Sequence, residues 1–209
     1  MRRSQLDRYL AAEKEYTTTK QGTKRSKQLQ RHYANEMALY ICLVVWTAVP
    51  PVRSQVLRKA IMSEPPKNPD PKAVYVWYDD SKQRYIFKYG KLKCGGRQLP
   101  LPVSVNDQLH KYMNEARPLL DIIDNKSHLF VGRSAGKPMF ESGFSSWIKG
   151  MFTSHGVNTT AHILRHSKVT HKIESGASAV EMVAMSKVME QTVQTQQDTY
   201  NRMSLTPSA

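Results

Sequence analysis

The sequence has few cysteines, few acidic residues and no long apolar run. Cys42 and Cys94 are its only cysteines, too few for a disulfide scaffold or a four-cysteine zinc site, and they predict a reducing compartment. The longest apolar stretch, Met37 to Val49, is too short to cross a bilayer. The first ten residues lack the apolar core of a signal peptide. We therefore expect an intracellular protein rather than a secreted or membrane protein.

Acidic residues are outnumbered by basic ones. Asp and Glu total 17 against 31 Lys and Arg, which leaves a net charge of +14. This excess predicts a polyanionic partner, with nucleic acid the first candidate and an anionic membrane surface the second. The sequence contains no Asp/Glu cluster at two-metal spacing and no Cys/His zinc pattern, so we expect no metal cofactor. With 40% hydrophobic residues in 209, the chain has the composition of one packed domain.

The N-terminal half divides into a basic arm and the start of this domain. Residues 1–28 are polar and basic with little apolar periodicity, which indicates a flexible or partly helical arm, either a solvated tail or an arm lying on phosphates. Residues 29–209 form the expected domain and end in a short tail. Apolar residues at helical spacing predict a buried helix from Leu29 to Val49. Pro50-Pro51 ends it, and a second helix is predicted over Val52 to Met62.

A small antiparallel sheet and then more helices are predicted after the proline-rich loop over residues 63–72. The three expected strands are Val74–Tyr78, Arg84–Tyr89 and Arg97–Leu101. The expected helices are Val105–Ala116, Phe144–Phe152, one capped by Thr159 or Thr160 and ending at Gly176, and one opened by the capping box of Ser178 and Glu181. The order of these elements predicts a mostly helical α+β domain.

Four local features have catalytic potential, although each feature taken alone is equally typical of an ordinary protein surface. His and Arg three residues apart share a helix face; imidazole exchanges protons near neutral pH, and guanidinium offers planar donors to phosphate oxygens. The features are Arg53 one turn into its helix, the His162-Ile-Leu-Arg165 group, Lys91 or Lys93 on a glycine-containing hairpin, and Tyr200 near the C-terminus.

Along the chain the order is Arg in an early helix, Lys on a hairpin, His-x-x-Arg in a later helix and Tyr near the end. Residues of these types in this order resemble the catalytic domain of tyrosine recombinases, the phage-integrase family. The most specific match is the block Thr160-Ala-His-Ile-Leu-Arg-His-Ser-Lys-Val-Thr-His171, with Gly176-Ala177 behind it. Residues 128–133, His-Leu-Phe-Val-Gly-Arg, followed by Gly136-Lys137-Pro138, are similar to another family segment. The resemblance covers roughly residues 30–205 and implies a helical catalytic domain that carries a small sheet.

The resemblance implies a role for each candidate. Tyr200 would be the nucleophile that forms a 3′-phosphotyrosyl link to DNA, and Arg53 and Arg165 would clamp the scissile phosphate. His162 would donate to the phosphate and manage a proton. The partner would be double-stranded DNA, bound by several copies of the chain, as in a tetramer, and no metal would be needed because a covalent nucleophile and cations suffice.

At two further positions the sequence offers an alternative or departs from the family pattern. Lys93 would protonate the departing 5′ oxygen, with Lys91 the close alternative. The family places a second His or Trp about nine residues before the tyrosine, and here that position holds Gln191. We expect Gln191 to lie in the helix that Ser178 opens and to face the phosphate, with Lys187 and Ser186 its neighbours if the register shifts.

Three functions fit this pattern. A site-specific recombinase or integrase is the first, acting in the cytoplasm of a prokaryote or the nucleus of a eukaryotic host. A type IB topoisomerase shares the active-site plan but religates the same strand. A catalytically silent DNA-binding protein would keep the fold and the positive charge, which serves binding with or without cleavage.

Overall fold

The fold was analysed in a computed structural model that describes residues 2–19, 24–89, 97–120, 128–131, 139–189 and 191–204. These residues form a mostly helical α+β fold with one small sheet. Its elements are α1 (Arg2–Thr18), α2 (Lys24–Ala48), α3 (Ser54–Arg58), β1 (Ala60–Met62), β2 (Val74–Asp79), β3 (Arg84–Tyr89), β4 (Arg97–Pro100), α4 (Asn106–Lys111), α5 (Glu141–Thr153), α6 (Ala161–Glu174), α7 (Ala179–Met189) and α8 (Val193–Ser204).

Helix α2 is the centre of the core. Its residues Ile41 and Cys42 are fully buried, as is Ala34 two turns earlier, and burial raises the pKa of the Cys42 thiol. The predicted buried helix is therefore confirmed, although it begins at Lys24 rather than Leu29. In the described segments no helix combines the length and apolarity that a membrane crossing requires.

Residues 2–18 are a packed helix, which agrees with the expected helical character and corrects the alternatives of a flexible arm and a solvated tail. Tyr9 stacks on both Tyr33 and Tyr40, with ring centroids 5.8 Å apart in each pair, and Tyr16 stacks on Tyr33. The buried carboxylate of Glu36 on α2 accepts hydrogen bonds from α1 as well. Aromatic stacking and polar hydrogen bonds hold α1 against α2. The contact therefore leaves no aliphatic periodicity in the sequence of α1. The division of the chain into an arm and a domain stays a prediction.

The sheet has a fourth strand that the sequence analysis assigned to a helix. Its order is β1-β2-β3-β4; β2, β3 and β4 are antiparallel neighbours, as expected, and β1 is parallel to β2. Helix α3 stops at Arg58, because Ala60 pairs with Val74 and its carbonyl accepts a bond from the N–H of Leu129. Long-range pairing thus outweighs the local helical pattern, and the three-stranded antiparallel description is wrong in this detail.

The segment 128–131, whose sequence resembled a family motif, has a structural role. Ile61 of β1 forms an antiparallel bridge with His128, and Phe130 is fully buried against the ring of Trp147. The buried Arg117 donates to the carbonyl of His128 through Nε at 3.1 Å and Nη2 at 2.8 Å. This segment therefore ties the sheet to the helices. The remaining motif residues, 132–138, lie outside the described part of the chain.

Helix ends in the C-terminal half follow the sequence signals. Thr160 rather than Thr159 caps α6, since its side chain accepts from the N–H of Ile163. The glycine after α6, Gly176, has φ +74, a conformation that favours glycine. The capping box is complete, because Ser178 and Glu181 exchange backbone and side-chain hydrogen bonds. The helix predicted over Val105–Ala116 is instead α4 followed by a π turn and a 3₁₀ turn that runs past Pro118.

Candidate functional site

Arg165 connects the chain segments of the candidate site by hydrogen bonds. It lies on α6 and is buried, with 5% of its surface exposed. Its Nη1 donates to the carbonyl of Pro51 at 2.7 Å, and its Nη2 donates to the carbonyl of Met189. Pro51 lies two residues before Arg53, and Met189 two residues before Gln191. One guanidinium therefore joins the three chain segments that carry Arg53, Arg165 and Gln191.

A small apolar cluster positions α6 against α7 around this guanidinium. Val169 lies one turn after Arg165, and it packs with Met182, Met185 and Met189 of α7. All four side chains are buried. The cluster thus fixes the end of α7, whose last carbonyl is the acceptor for Arg165.

His162, in contrast, is exposed at the start of α6. Its Nε2 lies 2.6 Å from Nε2 of His166, and the two rings meet edge to face, with centroids 4.1 Å apart. The pKa of His166 is lowered by its partial burial and by the neighbouring charges of His162 and Arg165. The expected convergence of His162 and Arg165 on one spot stays a prediction: the His162 ring meets His166, whereas the Arg165 guanidinium meets the carbonyls of Pro51 and Met189.

Arg53 and Gln191 lie at helix ends rather than inside helices, which corrects both expectations. Arg53 is the half-buried N-cap residue of α3, directly before Ser54. Gln191 lies past α7, which ends at Met189, and its N–H donates to the carbonyl of Ser186 at 3.0 Å. This bond closes the end of the helix. Ser186 is buried, and its hydroxyl donates to the carbonyl of Val183 within α7.

The remaining candidates are only partly covered by the structure. Lys91 and Lys93 lie outside the described residues, in the connection between β3 and β4. Tyr200 lies in α8, which packs against both α6 and α7, and the description of Tyr200 is confined to its backbone. The helix that carries Tyr200 therefore packs against α6, which carries His162 and Arg165, and against α7, which Gln191 follows.

The arrangement can hold an anion and exchange a proton. A guanidinium with fixed orientation suits the oxygens of a phosphate, because its donors form a rigid planar fork. Imidazole can accept or donate a proton, and His162 and His166 supply two such groups. Within the described residues, no group of three or more His, Cys, Asp and Glu side chains is arranged to hold a metal ion.

Sequence reasoning missed His166 and the two carbonyls that hold Arg165. The signal for His166 was present, since residues four apart on a helix lie on one face, and His166 follows His162 by four. The carbonyls of Pro51 and Met189 had no signal, because a main-chain acceptor is the same at every residue. Only the fold brings them to α6.

Comparison with known proteins supports the resemblance in sequence. Tyrosine recombinase XerD of Oceanobacillus iheyensis is 33% identical over 95 residues, which are 42% of this chain and 32% of that protein. XerD of Listeria monocytogenes is 34% identical over 83 residues, 39% of this chain and 28% of that protein. The chain thus spans about a third of these relatives' length. No protein-family model matches it.

Solved structures show the same likeness in fold. The crystal structure of XerA recombinase aligns with 86% of this chain and 57% of its own, with a TM-score of 0.55 and 17% identity. A pre-cleavage complex of XerH site-specific recombinase bound to its difH substrate aligns with 94% of this chain and 48% of its own, with a TM-score of 0.54 and 14% identity. The resemblance of this chain to the catalytic domain of the tyrosine recombinase family is therefore confirmed, by sequence over about two fifths of its length and by fold over most of it.

Proposed function

We propose that this chain is the catalytic part of a site-specific DNA recombinase. The observation that carries the proposal is the buried Arg165, whose bonds to Pro51 and Met189 join the segments of three candidate residues. The relatives are named as tyrosine recombinases, and the XerH structure holds its DNA substrate. A net charge of +14 suits binding to the phosphates of duplex DNA.

The proposed reaction exchanges one phosphate ester for another. The phenol oxygen of Tyr200 attacks the scissile phosphorus, forms a 3′-phosphotyrosyl bond and displaces the 5′ oxygen of the neighbouring sugar. His162 takes up the phenol proton, and Lys93, or Lys91 if the hairpin is shifted, gives a proton to the departing oxygen. Arg53 and Arg165 stabilise the charge of the pentacoordinate transition state.

Rejoining reverses these steps with a new 5′ hydroxyl as the nucleophile. The phosphotyrosyl link conserves the energy of the broken bond, so no nucleotide cofactor is needed. Exchange between two duplexes requires more than one copy of the chain on DNA, and we propose a tetramer.

Covalent trapping tests the proposal. The substrate is a pool of duplexes of randomised sequence. Each is labelled on the 5′ side of the cleavage point, which stays on the protein, and nicked so that the short fragment with the new 5′ hydroxyl diffuses away. We expect a labelled protein band in denaturing gels, formed also in EDTA and absent in Tyr200→Phe. Sequencing the captured DNA would then give the preferred site.

The variant must be compared with wild type in binding as well. Tyr200→Phe should still retard duplex DNA, because it lacks only the hydroxyl. An adduct that persists in Tyr200→Phe would overturn the assignment of the nucleophile. DNA binding by the wild type without any adduct would favour a silent DNA-binding protein, and relaxation of supercoiled plasmid without strand exchange would favour a topoisomerase.

Arg53→Ala tests the clamp separately. Removal of one donor to a transition state typically slows reaction by about 100- to 1000-fold, and we expect a loss of that size in adduct formation. Binding should fall far less, since many other cations contact phosphates. Equal losses in binding and in cleavage would make Arg53 an ordinary phosphate anchor.

A further inference from the structure

His162 and His166 of α6 form a pair, and the proposed reaction assigns a role only to His162. His162 and His166 are four residues apart, so both imidazoles project from one face of the helix. Their Nε2 atoms lie 2.6 Å apart. Two imidazole nitrogens at this distance need something between them, since two bare lone pairs would repel. One ring's N–H donates to the other ring's nitrogen, so a single proton lies between them.

A transition-metal ion can replace the shared proton. Two histidines at positions i and i+4 of a helix are the pattern by which helices present a pair of nitrogens to zinc, and neutral imidazole suits Zn²⁺, Cu²⁺ and Ni²⁺. An ion about 2.0–2.1 Å from each nitrogen needs the two nitrogens roughly 3 Å apart. The present separation is a few tenths of an ångström less, and His162 is exposed, so a small rotation of its ring suffices.

The surroundings define what kind of site this is. No set of three or more His, Cys, Asp and Glu side chains in the described segments could hold an ion, so the two imidazoles act as a bidentate ligand and water fills the other positions. The neighbouring Arg165, whose guanidinium donates to two carbonyls, adds a positive charge that lowers the affinity. The site thus differs from a closed four-ligand structural zinc site, which is essential for folding.

We propose that His162 and His166 chelate a divalent transition-metal ion such as Zn²⁺, and that the bound ion takes His162 away from the DNA phosphate. The chelation follows from the pair alone. The second part rests on the proposed function, because it predicts that Zn²⁺ inhibits the strand cleavage assigned to this chain.

Isothermal titration of the full chain with zinc chloride, without DNA, tests the chelation. We expect one ion bound per chain by the pair. His162→Ala and His166→Ala should each weaken binding at least tenfold, since loss of even an outer partner of a metal ligand costs about 10- to 100-fold. His171→Ala is the matched control: His171 is exposed on the same helix and has no histidine four residues away, so the variant should bind as wild type does.

A measurement on the wild type removes any dependence on variants that fold poorly. Two-dimensional NMR of the imidazole nitrogens should show zinc shifting Nε2 of His162 and His166 while His171 is unchanged. Binding that is absent, or equal in wild type and in both pair variants, would overturn the site. In the trapping assay, Zn²⁺ should lower the adduct yield and EDTA should restore it. Binding without inhibition would overturn only the second part, and an inactive protein that still binds zinc would count against the proposed function alone.

Discussion

Replacement of Arg165 should weaken the fold as well as the proposed reaction. The side chain is buried, and both residues that accept its bonds, Pro51 and Met189, are buried too. In Arg165→Ala two carbonyls lose a charged donor in a place that water reaches poorly. Hydrogen bonds to charged groups each contribute about 1.5–3 kcal/mol. We therefore expect a loss of about 3–6 kcal/mol in the free energy of unfolding, from these two bonds.

This loss is large compared with the whole stability of a domain, which is about 5–15 kcal/mol. Urea denaturation followed by circular dichroism measures it. His171→Ala, exposed on the same helix, should stay within about 0.5 kcal/mol of wild type. Arg165→Lys should fall between wild type and Arg165→Ala, because an ammonium group lacks the planar fork that serves two separated carbonyls.

The result decides how the kinetics of Arg165 variants are interpreted. A variant that is mostly unfolded at the assay temperature loses cleavage and binding together, and says nothing about the transition state. Arg165→Ala with a free energy of unfolding within about 1 kcal/mol of wild type, less than one charged hydrogen bond contributes, would refute the reasoning. The two carbonyl bonds would then be incidental to the fold, and the loss of cleavage could be assigned to chemistry.

Three further predictions concern other parts of the chain. Tyr9→Ala should lower the free energy of unfolding by about 3–5 kcal/mol, as truncation of buried aromatics does, whereas Leu10→Ala, at a site 46% exposed, should change it little in the same denaturation assay. Gln191→Ala should slow adduct formation without unfolding the domain, because its amide can donate to a phosphate oxygen; near-wild-type cleavage would mean that the position is misaligned. Hydrogen bonds from Lys82 lower the pKa of Asp79 to about 2, so this carboxylate stabilises the fold above its ordinary pKa and loses that effect as the pH falls toward 2. NMR titration should give a midpoint near 2 for Asp79 that rises in Lys82→Met.

Elements whose ends depend on local chemistry could be predicted from the sequence. Pro50-Pro51 ends α2 because proline lacks an N–H and clashes with the preceding turn, and Ser178 with Glu181 opens α7 because their side chains satisfy the first N–H groups. The hairpin of β2 and β3 could also be predicted from local sequence, since its strands are rich in β-branched and aromatic residues and its turn is polar. In each case the deciding contacts lie within about four residues.

Elements that depend on distant partners could not be predicted from the sequence. Ala60 to Met62 continue a helical pattern, yet they pair with Val74 to Val76 and bridge to His128. The first helix carries few aliphatic residues, and Tyr9 reaches its partners on α2 only across 24 to 31 residues of sequence. The hydrophobic pattern within one segment does not indicate which distant segments it will pair with.

The candidate site combines both situations, and this explains why candidate residues could be proposed from the sequence while their surroundings could not. His162 and Arg165 could be found because a short block on one helix carries them. Their environments differ, since Arg165 turns inward to carbonyls of two other segments while His162 turns outward to His166. The proposed clamp is thus held by buried main-chain contacts, and the proposed proton carrier stays in reach of solvent. Because the same guanidinium secures the fold and is assigned to the phosphate, selection for either role would retain arginine here, and only measurements that separate stability from cleavage can tell the two roles apart.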